Sequence, residues 1–215
     1  MDLKKGFCVG LTSLVLAANL GSNGGCITMR IRPEVRTKLE QRVKTVGYFA
    51  GFEGMQPVAG EKIKRLSKRV AWASGIAGYA TSGNVLAHLP IIEEAHRNNQ
   101  PIYIFGHSSG GNEARMLAKE CKKRNIPVKI LFLSDPTYLA RPLPGKITDN
   151  VERVITYLSE DEGWFFGVAP KKEDLEDPYK TILCPARRFP VNHYGLPMAA
   201  ESSMEEEITK GNRKP

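Results

Sequence analysis

Residues 101–123 read PIYIFGHSSGGNEARMLAKECKK. An apolar run, Ile102 to Phe105, enters Gly106-His107-Ser108-Ser109-Gly110-Gly111, and a helical pattern begins at once. The spacing predicts a strand, a sharp turn and a helix. Ser108 stands at the centre, with one glycine two residues before it and another two after. A turn this tight holds its central residue in a sparsely populated backbone conformation. Strand and helix then pass too close for side chains at the two flanking positions. The serine hydroxyl stands clear at the sheet edge, and the amide of Ser109 points into the space beside it. These are the features of a nucleophile elbow.

Outward from this turn, strand and helix patterns alternate. Arg30 to Lys44 is charged and weakly helical, with Val35, Leu39 and Val43 at helical spacing. Thr45 to Ala50 predicts a buried strand, and Ala59 to Val70 an amphipathic helix with a basic outer face. Arg69 to Ala73 reads as a short strand and Ser74 to Gly83 as a glycine-rich loop. Asn84 to Asn98 is helical, with Pro90 either kinking that helix or starting a second one. Downstream, Val128 to Leu133 and Val151 to Leu158 predict strands. A weak strand follows near Thr181–Leu183 or Arg188–Val191, and Glu201 to Lys210 forms a final short helix. The expectation is an α/β fold, with a mostly parallel sheet covered by helices on both faces.

The 215 residues suffice for one domain with a sizeable core, and 41% hydrophobic with 25% charged residues is ordinary globular composition. The net charge is +8, and the basic residues are spread over several segments with no nucleic-acid motif. A solvated basic surface, with no nucleic-acid partner, is therefore expected. Lys4 and Lys5 precede an uncharged, mostly apolar run, Gly6 to Leu20, which exits through Gly21-Ser22-Asn23-Gly24-Gly25. That order describes an export signal or N-terminal anchor over residues 1–25, and so an exported or cell-envelope protein with a cytoplasmic location as the alternative. Cys26 after small residues resembles a bacterial lipoprotein cysteine, although Asn23 stands where a leucine-like residue is usual. Residues 26–43 then connect to a domain over 44–210, with 211–215 as a tail. Cys121 and Cys184 either pair in an oxidising compartment or stay as two buried thiols. No Cys-x-x-Cys or His-Cys cluster is present, so neither a metal nor a cofactor is expected.

Elbow, element order and spacing together resemble the α/β-hydrolase superfamily, in the form of a compact lipase- or esterase-like member without a cap domain. The resemblance covers about Lys44 to Ala200, and YIFGHSSGG is its most specific part. It implies a three-layer sandwich with the nucleophile after the central strand, and a triad in the chain order serine, acid, histidine. Among His88, His96, His107 and His193, only His193 follows the serine at a distance. His88 and His96 precede it on a presumed helix, and His107 is expected to face away. His193 is the expected base.

For the acid, Asp135 ends the strand after the elbow helix, between apolar residues and a proline. Asp161 follows the next strand, in the commoner place for this superfamily, but among Glu160 and Glu162. Asp135 is preferred and Asp161 is the alternative. The oxyanion hole is expected to pair the amides of Ser109 and Phe52, with Gly51 or Glu53 as rivals to Phe52. Trp164 and Phe165, with Phe166, either line an acyl groove or lipid-facing surface, or pack a long loop onto the core. The expected function is cleavage of a small-molecule or lipid ester or thioester through an acyl-enzyme, with membrane association through the N-terminus. The alternative is a non-catalytic hydrolase-like envelope protein that binds a lipid, glycan or protein partner.

Overall fold

The computed structural model describes residues 32–53, 57–82, 84–137, 145–160 and 167–212. The expected signal, Cys26 and the tail residues 213–215 lie outside them. Helix α1 (Pro33–Val46) carries a proline in its first turn and stops at Gly47, whose φ of 95° suits a residue without Cβ. A Cβ there would also lie 2.7 Å from the carbonyl oxygen of Pro101. This stop delays strand β1 to Tyr48–Glu53, three residues later than the apolar run suggests. Val43 of α1 is fully buried, so this helix belongs to the packed body.

The order continues with α2 (Pro57–Ala73), β2 (Ala77–Ser82), a 3₁₀ turn (Val85–His88), α3 (Leu89–Arg97), β3 (Ile102–His107), α4 (Gly110–Lys122) and β4 (Val128–Ser134). Then come β5 (Val151–Ser159), β6 (Ile182–Leu183), β7 (Arg187–Phe189), α5 (Leu196–Ala199) and α6 (Glu201–Asn212). Among the described residues the strands form one sheet, ordered β2-β1-β3-β4-β5-β6, with β7 also pairing on β5. Every pairing is parallel.

Two expectations change here. Arg69 to Ala73 is the last stretch of α2, not a strand, and the supposed loop contains β2. Gly78 misled the sequence reading. It sits in the strand because a Cβ would lie 2.4 Å from Ala71 Cβ and 2.6 Å from the Ser67 carbonyl oxygen on α2. Its role is close strand–helix approach. Pro90 begins α3, as one of its two expected roles.

Successive residues of the strands serve opposite faces. Ile102 and Ile104 join the cluster beneath α3 and α4, whereas Tyr103 and Phe105 join the cluster beneath α2, α5 and α6. Full burial of Phe49, Phe105 and Phe132 makes each of these rings worth ~3–5 kcal/mol on truncation to alanine. Cys121 lies in the first cluster and Cys184 against the second, both as free thiols. Because α2 follows β1 on one face and α4 follows β3 on the other, the winding reverses between these adjacent strands. The crevice at their C-terminal ends is where open α/β sheets bind ligands.

Candidate active site

At that edge, β3 runs out into Ser108, whose φ of 55° is left-handed. A non-glycine residue pays strain in this region and persists there only when its surroundings hold it. The hold is visible. Ser108 N–H donates to the Ser134 carbonyl at 2.9 Å, and the Ser108 carbonyl accepts from Gly111 N–H at 3.0 Å and Thr137 N–H at 3.3 Å. Gly106 supplies the clearance, since a Cβ there would lie 2.3 Å from the Gly110 carbonyl oxygen. Ser108 is half-buried, and its Oγ is 3.4 Å from Thr137 Oγ1. Ser109 occupies the N-cap position of α4, with no capping hydrogen bond from its side chain.

Asp135 follows β4 directly, with a φ of 40° and no exposed surface. Its carboxylate accepts from Ser159 N–H at 2.8 Å on Oδ1, and on Oδ2 from Ser159 Oγ at 2.6 Å and His193 Nδ1 at 3.0 Å. Burial pushes the carboxyl pKa up, but the hydrogen bonds from His193 and Ser159 outweigh it and hold the group below its ordinary value. Asp135 is therefore ionised at neutral pH and can only accept hydrogen bonds. Gly167 lies against it, because a Cβ would sit 2.5 Å from Asp135 Cα.

His193 reaches Asp135 because β7 pairs beside β5, Ser159 opposite Phe189, so the chain leaves the sheet where Asp135 is anchored. A turn from Asn192, whose side chain accepts from Gly195 N–H at 2.9 Å, then presents the imidazole. His193 keeps 9% exposure, which leaves an edge open to solvent. Its ring meets His107 at a centroid distance of 4.5 Å and 33°, and Tyr194 at 5.4 Å and 76°. His107 is 1% exposed, with Nδ1 3.2 Å from both the carbonyl and hydroxyl oxygens of Ser134. Burial, reinforced by His193, pulls the His107 pKa down to about 3, so this ring is neutral.

The ends of β3, β4 and β7, the last paired beside β5, thus bring Ser108, Asp135 and His193 to one edge of the sheet. His107 does not face away but underlies His193. Its dipeptide with Ser108 was the available signal, and the sheet register needed to interpret it was not. Ser159, Thr137 and Gly167 also went unread, because their importance lies in which strand ends beside which. Asp161, Trp164 and Phe165 fall outside the described residues.

The Phe52 assignment is corrected by the register. Tyr48 N–H donates to the Pro101 carbonyl at 2.9 Å, and the parallel pairing advances in steps of two residues. That alternation directs the Phe52 amide to the Phe105 carbonyl within the sheet. Ala77 N–H donates to Gly47 at 3.1 Å, which by the same alternation turns the Glu53 amide toward β2. Among the described residues no cluster of His, Cys, Asp or Glu could hold a metal ion. No described helix is long and apolar enough to cross a membrane.

No protein-family model matches the sequence, and no curated protein matches it. Solved structures do match. Human thioesterase 2 is 16% identical over 78% of this chain and 96% of its own, with a TM-score of 0.50. A mutant of the esterase E40 is 10% identical over 77% and 76%, at 0.53, and a bacterial heroin esterase 13% over 79% and 76%, at 0.50. The fold they share with this chain is the α/β-hydrolase fold.

Proposed function

We propose that this chain of α/β-hydrolase fold is a serine hydrolase that cleaves an ester or thioester through an acyl-enzyme. The observation that carries the reading is the His193 Nδ1–Asp135 hydrogen bond of 3.0 Å, formed at the same sheet edge as the strained Ser108. An unassisted serine hydroxyl is a poor nucleophile and needs a base. Ionised Asp135 accepts from Nδ1, so that nitrogen carries the proton and Nε2 keeps its lone pair.

In this mechanism Ser108 Oγ attacks the acyl carbonyl carbon while its proton passes to His193 Nε2. Asp135 stabilises the imidazolium without taking the proton. The Ser109 amide, at the N-terminus of α4, faces the developing oxyanion; one such donor contributes about 3–4 kcal/mol. The proton then goes to the leaving alcohol or thiol as the carbonyl–oxygen or carbonyl–sulfur bond breaks. Water repeats the sequence on the acyl-enzyme and releases the acid and Ser108. Trp164 and Phe165 remain candidates for the acyl groove, and Asp161 has no part in this scheme.

Fluorophosphonate labelling tests the reading. The folded protein is expected to label, and Ser108→Ala to abolish the label; an unlabelled wild type overturns the mechanism. A substrate panel across acyl lengths, with oxygen and thiol leaving groups, separates esterase from thioesterase. We also infer export, from Lys4, Lys5 and the apolar run that follows them. Mass spectrometry of the mature N-terminus is expected to find residues 1–25 removed, and an intact Met1 would overturn cleavage.

A further inference from the structure

His107 has no task in the mechanism above, yet it is among the most constrained side chains of the site. Its Nδ1 lies 3.2 Å from the Ser134 carbonyl, the same carbonyl that accepts Ser108 N–H at 2.9 Å. A carbonyl oxygen only accepts, so the Nδ1-protonated tautomer satisfies this contact. The orientation of the ring is therefore tied to the backbone that carries the serine. Its ring centroid lies 4.5 Å from that of His193, with the two planes tilted by 33°.

The His193 ring has a hydrogen bond at Nδ1, a flat neighbour in His107, and Tyr194 nearly perpendicular at 76°. A hydrogen bond at one nitrogen does not by itself stop an imidazole from rotating about that bond. A flat, buried neighbour removes the rotation. A neutral aromatic face also tolerates positive charge on the ring above it, whereas a charged neighbour would oppose it.

We propose that His107 is a positioning residue, whose ring, packed against His193, holds that imidazole in the orientation that keeps Nδ1 on Asp135 and turns Nε2 toward Ser108. This deepens the hydrolase reading and rests on it for the role of Nε2. The clamp itself stands on ring geometry alone. Its working part is the flat ring, with the contact to Ser134 as anchorage.

Three full-length variants, each checked for folding by thermal denaturation, separate these parts. His107→Phe keeps a flat neutral ring without the donor, His107→Asn keeps a donor without the ring, and His107→Ala removes both. The first readout is the downfield proton resonance of His193 Nδ1–H, assigned by its loss in Asp135→Asn. The second is the rate of fluorophosphonate labelling. His107→Phe is expected to retain the resonance and label within about threefold of wild type. His107→Asn and His107→Ala are expected to broaden the resonance and slow labelling ~10–100-fold, as loss of orientation does. A sharp resonance and wild-type rate in folded His107→Ala overturn the proposal, as does His107→Phe failing as badly as His107→Ala. If the wild type does not label at all, the hydrolase reading fails, and the resonance still decides whether His107 positions His193.

Discussion

His88 and His193 are the same side chain set in opposite halves of one sheet, and they could hardly differ more. His88 is fully buried on the β1–β2 side, with Nδ1 2.9 Å from the Tyr48 hydroxyl and Nε2 2.9 Å from Thr81 Oγ1. Phe52 covers its ring edge-on at 4.9 Å. Burial takes its pKa down to about 3, and the hydroxyls at its two ring nitrogens adapt to either tautomer. His193 has a buried carboxylate on one nitrogen and an edge toward solvent. Both rings are held firmly, so rigidity does not separate them. What separates them is the partner: hydroxyls on both nitrogens of His88, a buried carboxylate on Nδ1 of His193.

The largest test of this contrast is Asp135→Asn. With the tautomer of His193 no longer enforced, turnover is expected to fall ~10³–10⁴-fold, as for triads in general. His88→Gln should leave turnover near wild type. Loss of activity in a folded His88→Gln protein would break the division drawn here.

Stability should move the other way. His88→Ala opens a cavity and takes a partner from the buried Tyr48 hydroxyl, and about 2–4 kcal/mol of stability is expected to go in denaturant unfolding. Another variant, Gly167→Ala, forces a methyl group to within 2.5 Å of Asp135 Cα. Overpacking of this kind removes about 1–3 kcal/mol, and here it should also displace the carboxylate and slow turnover.

The last effect is in the pH dependence. His88 and His107 have folded pKa values of about 3, below the ordinary value of 6.5. Between those limits the unfolded chain binds the protons first, so stability falls as the pH drops from 6.5 toward 3. Each histidine contributes up to ~1.4 kcal/mol per pH unit. Asp135 adds its own loss only below the ordinary carboxylate range, because its folded pKa is depressed. Unfolding followed from pH 7 to 4.5 should show a shallower slope in His88→Gln than in wild type. An identical slope would remove His88 from the account.

Much of this arrangement was legible beforehand, for local reasons. The elbow is a short-range device, since Gly106, Ser108 and Gly110 lie within five residues and their clearance is set by adjacent backbone. The chain order that the α/β-hydrolase resemblance implies pointed to His193 as the expected base. The β2 strand was not legible, because Gly78 has one reading in a loop and another against α2, and only the packing partner distinguishes them. The Phe52 amide failed for a similar reason, as its direction depends on the pairing of β1 with β3. His107 was misjudged because its neighbour in space is 86 residues away in sequence.

The amino-acid order by itself determined the alternation of strands and helices, the strained serine turn and the short list of partners for it. Those features arise from periodicity and backbone sterics, which act over a few residues. Tertiary structure alone decided that Asp135, tied to Ser159, meets His193, that His107 lies beneath that ring, and that His88 is sealed away. A side chain's protonation and orientation are set by whatever surrounds it, and those surroundings come from distant strands.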